Sequence, residues 1–178
     1  MMSISTGKGD DGSTDMIGGR RIPKNHPLIE CLGTIDELNA FLGDCKTAMP
    51  GANSRDTDRR RTIEGIQKQL FTIMGIIAGS LAKAPDAKDL EALAAEIESK
   101  LPVFESFAVP GATPVSAKFH IARTVCRRAE RRLAGLFAGN DIPASVPADE
   151  YACLQAWFNR LSDLLFLMAQ EEDSAAKI

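Results

Sequence analysis

Ala122-Arg123-Thr124-Val125-Cys126-Arg127-Arg128-Ala129-Glu130-Arg131-Arg132-Leu133 places two different demands on one helix. At about 100° per residue, Ala122, Val125, Cys126, Ala129 and Leu133 fall into one apolar stripe that continues to Leu136. That recurrence predicts a helix laid lengthwise on a core. Arg123, Arg127 and Glu130 form a second stripe roughly 80–140° round the axis, and Arg128 and Arg132 fall on a third side. A surface helix needs one buried face and one wet face. The additional polar stripe therefore asks for a partner or an anionic ligand. Arginine suits either, because its planar fork stays charged and grips phosphate or carboxylate bidentately.

The same periodicity extends along the chain. It predicts helices over 29–49 (Leu32, Ile35, Leu38 and Leu42 inward), 54–83 (Leu70, Ile73, Ile77 and Leu81) and 87–101 (Leu90, Leu93, Ala94 and Ile97). Two more follow at 115–138, which holds the arginines, and at 148–172, where Leu154, Trp157, Phe158, Leu161, Leu164, Leu165 and Met168 face inward. Pro50-Gly51, Ala84-Pro85-Asp86, Pro102 and the Gly139–Pro147 stretch punctuate them. No strand alternation is evident. Residues 1–27, rich in glycine and charge, read as an irregular or mobile arm. The expected fold is an all-α, five-helix up-and-down bundle over 28–178 preceded by that arm.

Composition narrows the function. A chain of 178 residues, 44% hydrophobic and 25% charged, is a one-domain globular prior. The net charge of −3 lacks the basic excess of a nucleic-acid binder, so the arginine cluster suits a small anion. Cys31, Cys45, Cys126 and Cys153 show neither a CxxC pair nor zinc spacing and read as reduced thiols of a cytoplasmic protein. A polar start and the absence of any long apolar run argue against a signal peptide and a membrane span.

Three further polar features stand off the core faces. Asp36, beside Glu37 and Asn39, lies away from Leu38 and Leu42; Asn159 and Asp163 lie one turn apart on the last helix. With the arginine stripe they offer carboxylates, an amide and guanidiniums, the materials of a site between copies of the chain. In the arm, Thr6-Gly7-Lys8-Gly9-Asp10-Asp11-Gly12-Ser13-Thr14 could bring backbone N–H groups close to phosphate oxygens, with Arg20, Arg21 and Lys24 adding charge downstream. It is not a P-loop, since GxxxxGK[ST] is absent. His26 and His120 are the chain's two histidines, and neither has a glutamate three residues before it, which excludes a ferritin-like di-metal bundle. His120 reads as a hydrogen-bonded structural histidine.

These blocks, with Gly33-Thr34-Ile35-Asp36-Glu37-Leu38-Asn39-Ala40-Phe41-Leu42-Gly43, Val109-Pro110-Gly111 and Phe158-Asn159-Arg160-Leu161-Ser162-Asp163-Leu164-Leu165-Phe166, run in one order from arm to last helix. Together they resemble the PduO-type ATP:cob(I)alamin adenosyltransferases. The resemblance implies a homotrimer of five-helix bundles with active sites between subunits. It implies transfer of the 5′-deoxyadenosyl group of ATP to the cobalt of cob(I)alamin, with release of triphosphate. Thr6, Gly9, Asp10, Gly12 and Lys24 would fold over the triphosphate, and Gly7, Lys8, Ser13, Thr14 and Arg21 of the same arm are taken with them as nucleotide-binding candidates. Arg127 would bind phosphate, Glu130 would lie near the phosphates or their Mg²⁺, and Asn159 would contact the nucleotide. Asp36 would pair with Arg123 across the subunit boundary, and Phe107 would lie under the corrin ring, displacing the lower axial ligand. A cobalamin reductase and adenosylcobalamin-dependent enzymes are the implied protein partners. Ala112 stands where a second glycine is common, Trp157-Phe158 replaces Tyr-Leu, and Gln170 replaces a frequent arginine. A non-catalytic corrinoid carrier built on the same bundle is the competing reading.

Overall fold

The helix that carries the arginines, α4 (Pro114–Ala138), is started by its own sequence. Thr113 Oγ1 accepts from the Ser116 N–H at 3.0 Å, and Ser116 Oγ accepts from the Thr113 N–H at 3.1 Å, a reciprocal capping box with proline at the first helical position. The computed structural model describes residues 5–51, 53–103, 109–139 and 146–176. Around α4 stand α1 (Pro27–Ala48), α2 (Ser54–Ile77), α3 (Lys88–Glu98) and α5 (Ala148–Ala175). Five helices are observed among the described residues, where five are expected.

The apolar stripe of α4 is buried as anticipated. Ala122, Cys126, Ala129 and Leu133 are fully enclosed, and α4 lies between α1 on one side and α5 on the other. α5 supplies Trp157, Phe158, Leu161, Leu164 and Leu165 to the same core. α1 also packs on α2, whereas α3 packs on α5, so the helices do not simply neighbour their successors in sequence.

Ion pairs sit at the edges of these packed faces. Glu30, Glu37 and Asp44 of α1 meet Arg132, Arg128 and Lys118 of α4, the last pair at 2.6 Å. Their reversed order shows that α1 and α4 run antiparallel. Arg55 and Arg59 at the start of α2 reach Glu172 and Glu171 near the end of α5, at 2.9 and 2.7 Å. Arg128 and Arg132, which fall on the third side of the helix, are therefore interhelical partners of α1.

Three expectations need correction. The arm is not irregular: β1 (Ser13–Asp15) and β2 (Arg21–Pro23) form an antiparallel hairpin in which Thr14 opposes Ile22. Gly18 and Gly19, both at positive φ, make its turn, and Ile22 joins the bundle core. Second, α2 stops at Ile77 rather than near 83. Gly79, at φ 104°, closes a Schellman motif in which the Gly79 N–H bonds Ile76 O at 2.9 Å and the Ser80 N–H bonds Gly75 O at 2.8 Å. Third, and in consequence, Leu81 is not inward but 91% exposed.

Leu161→Ala should lower the unfolding free energy by about 2–5 kcal/mol, because it opens a cavity in a fully buried layer. Thr113→Ala should cost about 1 kcal/mol through the lost cap. Denaturant titration of the two variants, followed by the amplitude of the helical circular dichroism, checks both figures.

Candidate functional site

Three of the five α4 arginines, Arg123, Arg127 and the exposed Arg131, have no ion pair among the described residues, and the first two face a cavity. Arg128 and Arg132 are neutralised by α1, but among the described residues Arg123 and Arg127 make no ion pair within the chain. Both line a cavity of about 510 Å³ between α3, α4 and α5. Its other walls include Arg160, Asp163, Phe166 and, from α3, Glu91. Arg160 holds Asp163 at 3.0 Å and Glu91 at 3.5 Å, whereas Glu98, which also lines the cavity, makes no ion pair among the described residues. Arg123 and Arg127 face the cavity without a bound carboxylate, aromatic and apolar surface lies beside them, and an anionic ligand with a flat apolar part would suit both. Arg160 and Glu91 received no role from the sequence, although the spacing of Arg160 and Asp163 on one helix face was a usable signal.

The remaining site candidates lie elsewhere. Glu130 is half-buried one turn beyond Arg127, and Asn159 is exposed on α5; neither lines the cavity. Asp36 is exposed and opens onto a second depression, of about 390 Å³, between α1 and α2, shared with Asn39, Glu64, Lys68 and Phe71. Asp36 and Arg123 thus occupy separate depressions of one chain. Phe107 lies outside the described residues.

The arm is organised internally. Gly7 and Gly12 take positive φ, and the Asp10 and Gly12 N–H groups close successive turns onto Gly7 O and Gly9 O, both at 3.2 Å. The Lys24 N–H bonds Gly12 O at 2.9 Å, and a Cβ on Gly9 would stand 3.0 Å from the Lys24 ammonium. Glycine at position 9 therefore lets Lys24 lie across the loop. Arg21 is spent within the arm: it donates to Lys8 O at 2.8 Å, to both Asp11 carboxylate oxygens at 2.9 Å and to Ser13 Oγ at 3.0 Å. Hydrogen bonds from Ser13, and then the Arg21 charge, hold the exposed Asp11 carboxyl below the ordinary carboxylate value. Among the described residues, no hydrogen bond or ion pair joins residues 6–24 to α4 or α5.

His120 departs from its expected role. It is buried, yet neither ring nitrogen has a hydrogen-bond partner among the described residues. The four cysteines are free, as expected, with Cys153 exposed and the others buried. Burial pushes the Cys31 and Cys45 thiols up to about 12, which keeps them protonated and unreactive at neutral pH. No helix among the described residues is long and apolar enough to cross a membrane.

Comparison with known proteins decides the family. The model described as cobalamin adenosyltransferase matches residues 4–172. The chain belongs to that family. It is 36% identical over 184 residues to the corrinoid adenosyltransferase PduO of Citrobacter freundii, covering 98% of this chain and 51% of that protein. The chain thus spans about half the length of this relative and of its Salmonella typhimurium counterpart. Identity to the cobalamin adenosyltransferase of Cupriavidus metallidurans is 36% over 176 residues, covering 96% of this chain and 88% of the relative. Among solved structures, a variant PduO-type ATP:corrinoid adenosyltransferase from Lactobacillus reuteri, complexed with cobalamin and ATP, superposes with a TM-score of 0.84 at 27% identity, covering 98% of this chain and 93% of that one. The adenosyltransferase family therefore accounts for the five-helix architecture.

Arg21→Ala should release the Lys8–Ser13 loop while leaving the bundle intact. Amide exchange at residues 8–15 should accelerate, with the thermal midpoint of the helices unchanged. Unaltered exchange in the loop would show that Arg21 does not shape it.

Proposed function

We propose that the chain transfers the 5′-deoxyadenosyl group of ATP to the cobalt of cob(I)alamin, at a site completed between neighbouring subunits of a homotrimer. The observation that carries this reading is the pair of unneutralised arginines, Arg123 and Arg127, facing one cavity of a chain in the cobalamin adenosyltransferase family. The separation of features within one chain supports a shared site. Asp36 faces a different depression from Arg123, and among the described residues no hydrogen bond or ion pair joins the glycine loop to α4 or α5, so a neighbour would supply the missing half of each pair.

The reaction asks for positioning and charge stabilisation. The cobalt(I) electron pair attacks C5′ of ATP, the cobalt–carbon bond forms, and the C5′–oxygen bond breaks. The bond electrons leave on triphosphate, and cobalt ends formally as cobalt(III). No proton moves, so no protein nucleophile or general base is required. Holding cobalt and carbon in line is worth up to about 7–11 kcal/mol. Arg127, Lys24 and the backbone N–H groups of Thr6–Thr14 would stabilise the departing triphosphate. Arg21 would hold that loop in shape. Asn159 would contact the nucleoside, and Asp36 would pair with Arg123 across the boundary. Phe107 is assigned to the corrin ring by its place in the motif.

Mg²⁺ fits this arrangement in a limited way. Among the described residues no group of three or more histidine, cysteine, aspartate or glutamate side chains could hold a metal ion by itself. Magnesium commonly binds through one or two carboxylates plus substrate phosphates, and Glu130, one turn from Arg127, would contribute the carboxylate. Bound there, the ion would neutralise triphosphate charge. We assign the protein to the cytoplasm, where a cobalamin reductase would deliver the substrate and adenosylcobalamin-dependent enzymes would receive the product.

An anaerobic assay with a strong reductant should show ATP-dependent formation of the cobalt–carbon bond and release of triphosphate. ATP binding without bond formation would instead indicate a corrinoid carrier. Arg127→Ala should reduce turnover by about 10²–10³-fold or more, as loss of a transition-state charge donor does, with the fold retained. Arg123→Ala should lower both activity and the trimer fraction in sedimentation; an intact trimer with full activity would remove the Asp36–Arg123 pair from the site.

A further inference from the structure

Behind the arginine cavity, α4 and α5 enclose polar atoms that the mechanism above leaves unused. His120, Gln170 and Asp173 are only 4%, 7% and 6% exposed. Among the described residues, both His120 ring nitrogens, Gln170 Nε2 and Asp173 Oδ1 lack hydrogen-bond partners, and so does Nε of Arg123, one turn along α4 from His120. These groups share one seam. Gln170 and Asp173 lie one turn apart on α5. The Phe166 ring, one turn before Gln170, meets the His120 ring edge-on at 6.2 Å. His120 also lies within the fields of Arg123 and Asp173. An unsatisfied buried polar group costs roughly 1–3 kcal/mol, so a seam that keeps several calls for a use.

Their bonding capacities complement one another. A neutral imidazole carries one N–H and one acceptor nitrogen. Asp173 Oδ1 can take the N–H, and the Arg123 Nε–H can fill the acceptor. Burial first, then the Arg123 charge, lowers the His120 pKa below its ordinary value against the opposing pull of Asp173. The ring is consequently neutral at neutral pH, the form this bonding requires.

We propose that Asp173, His120 and Arg123 form a carboxylate–imidazole–guanidinium relay that closes by side-chain rotation, making His120 and Asp173 positioning residues for the Arg123 fork at the cavity. Gln170 Nε2, beside Asp173, supplies the carboxylate with a second donor. Arginine has several rotatable bonds, and anchoring Nε leaves only the terminal nitrogens to face a partner carboxylate or substrate. The relay thereby reduces the entropy lost when Arg123 engages.

The inference rests on Arg123 acting at an adenosyltransferase site, so its test has two separate readouts. The first is independent of turnover. In the full chain labelled with ¹⁵N-histidine there are two imidazoles to observe, His26 and His120, and His120→Leu assigns them. His120 should be a single neutral tautomer at neutral pH, with ring signals that shift on Asp173→Asn and on Arg123→Ala. A ring averaging between tautomers and unmoved by either substitution overturns the relay. The second readout is kinetic. His120→Leu should lower kcat about tenfold, the size of one coupling in a shared network, with KM for ATP unchanged and the thermal midpoint equal or higher. His120→Gln, which keeps a donor and an acceptor, should recover part of kcat. In the Arg123→Ala background His120→Leu should have no further effect. Multiplicative losses in the double variant, or a lower midpoint with unchanged kcat, overturn the relay. Wild-type protein that forms no cobalt–carbon bond would overturn the proposed function, leaving the relay to be decided by the imidazole spectra.

Discussion

The burial of the α4 apolar stripe between α1 and α5 sets the charge layout of the molecule. Fully burying a large aliphatic side chain is worth about 1.5–3 kcal/mol, whereas an exposed ion pair is worth about 0–1 kcal/mol. Ala122, Cys126, Ala129, Leu133 and Leu136, buried together, therefore choose the rotation of the helix, and the arginines take the directions that remain. In that rotation Lys118, Arg128 and Arg132 fall against acidic residues of α1. Arg123 and Arg127 fall on the α3–α5 side, where Arg160 already engages Glu91 and Asp163. A shift of one residue in the apolar pattern, a rotation of about 100°, would turn one of the two sets toward the core.

Much of this was legible from sequence because an α-helix has a single period and α4 fills it without conflict. The same rule served α5, whose seven expected inward residues are all buried. It failed where local backbone chemistry outweighed periodicity. Ile77 and Leu81 continue the α2 stripe in register, but the left-handed Gly79 ends the helix between them. The arm hairpin escaped notice because each strand has three residues, too few to show alternation; Gly18-Gly19 was the available signal. Of the candidate site, the arginine pair was legible as a stripe, but its division from Arg128 and Arg132 depended on which helix lay alongside. The Asp36 pairing is beyond any single-chain reading, since the two side chains open onto different depressions.

The arm shows how charge can be used for shape instead of contact. Arg21 looked like a phosphate ligand because it is basic and follows a glycine-rich loop. Its donors instead converge on Lys8 O, Asp11 and Ser13, which curls the loop and leaves Lys24 lying across it beside Gly9. Cationic density near the loop is thus carried by Lys8 and Lys24, point charges with rotatable donors suited to a flexible triphosphate. Where geometry is rigid and bidentate, on α4, the residue is arginine. The two halves of the proposed anion site differ in the same way as their backbones, a hairpin loop on one side and a packed helix on the other.

The proposed reaction moves no proton and so places the demands on rigidity. With no general base to tune, the protein's levers are the position of the reacting atoms and the direction of its charges, and both depend on how firmly the long arginine side chains are held. Arg127 has Glu130 one turn away on the same helix, and in the proposed site it has triphosphate to order it. Arg123 has neither, and its partner is proposed to come from another subunit. Without support it would sample many rotamers, at an ordering cost of about 0.5–1.5 kcal/mol when it engages. The buried polar seam of His120, Gln170 and Asp173 adjoins that arginine and gathers several unsatisfied polar atoms between α4 and α5. Stability sacrificed beside the least supported charge is the pattern expected where orientation matters more than local packing.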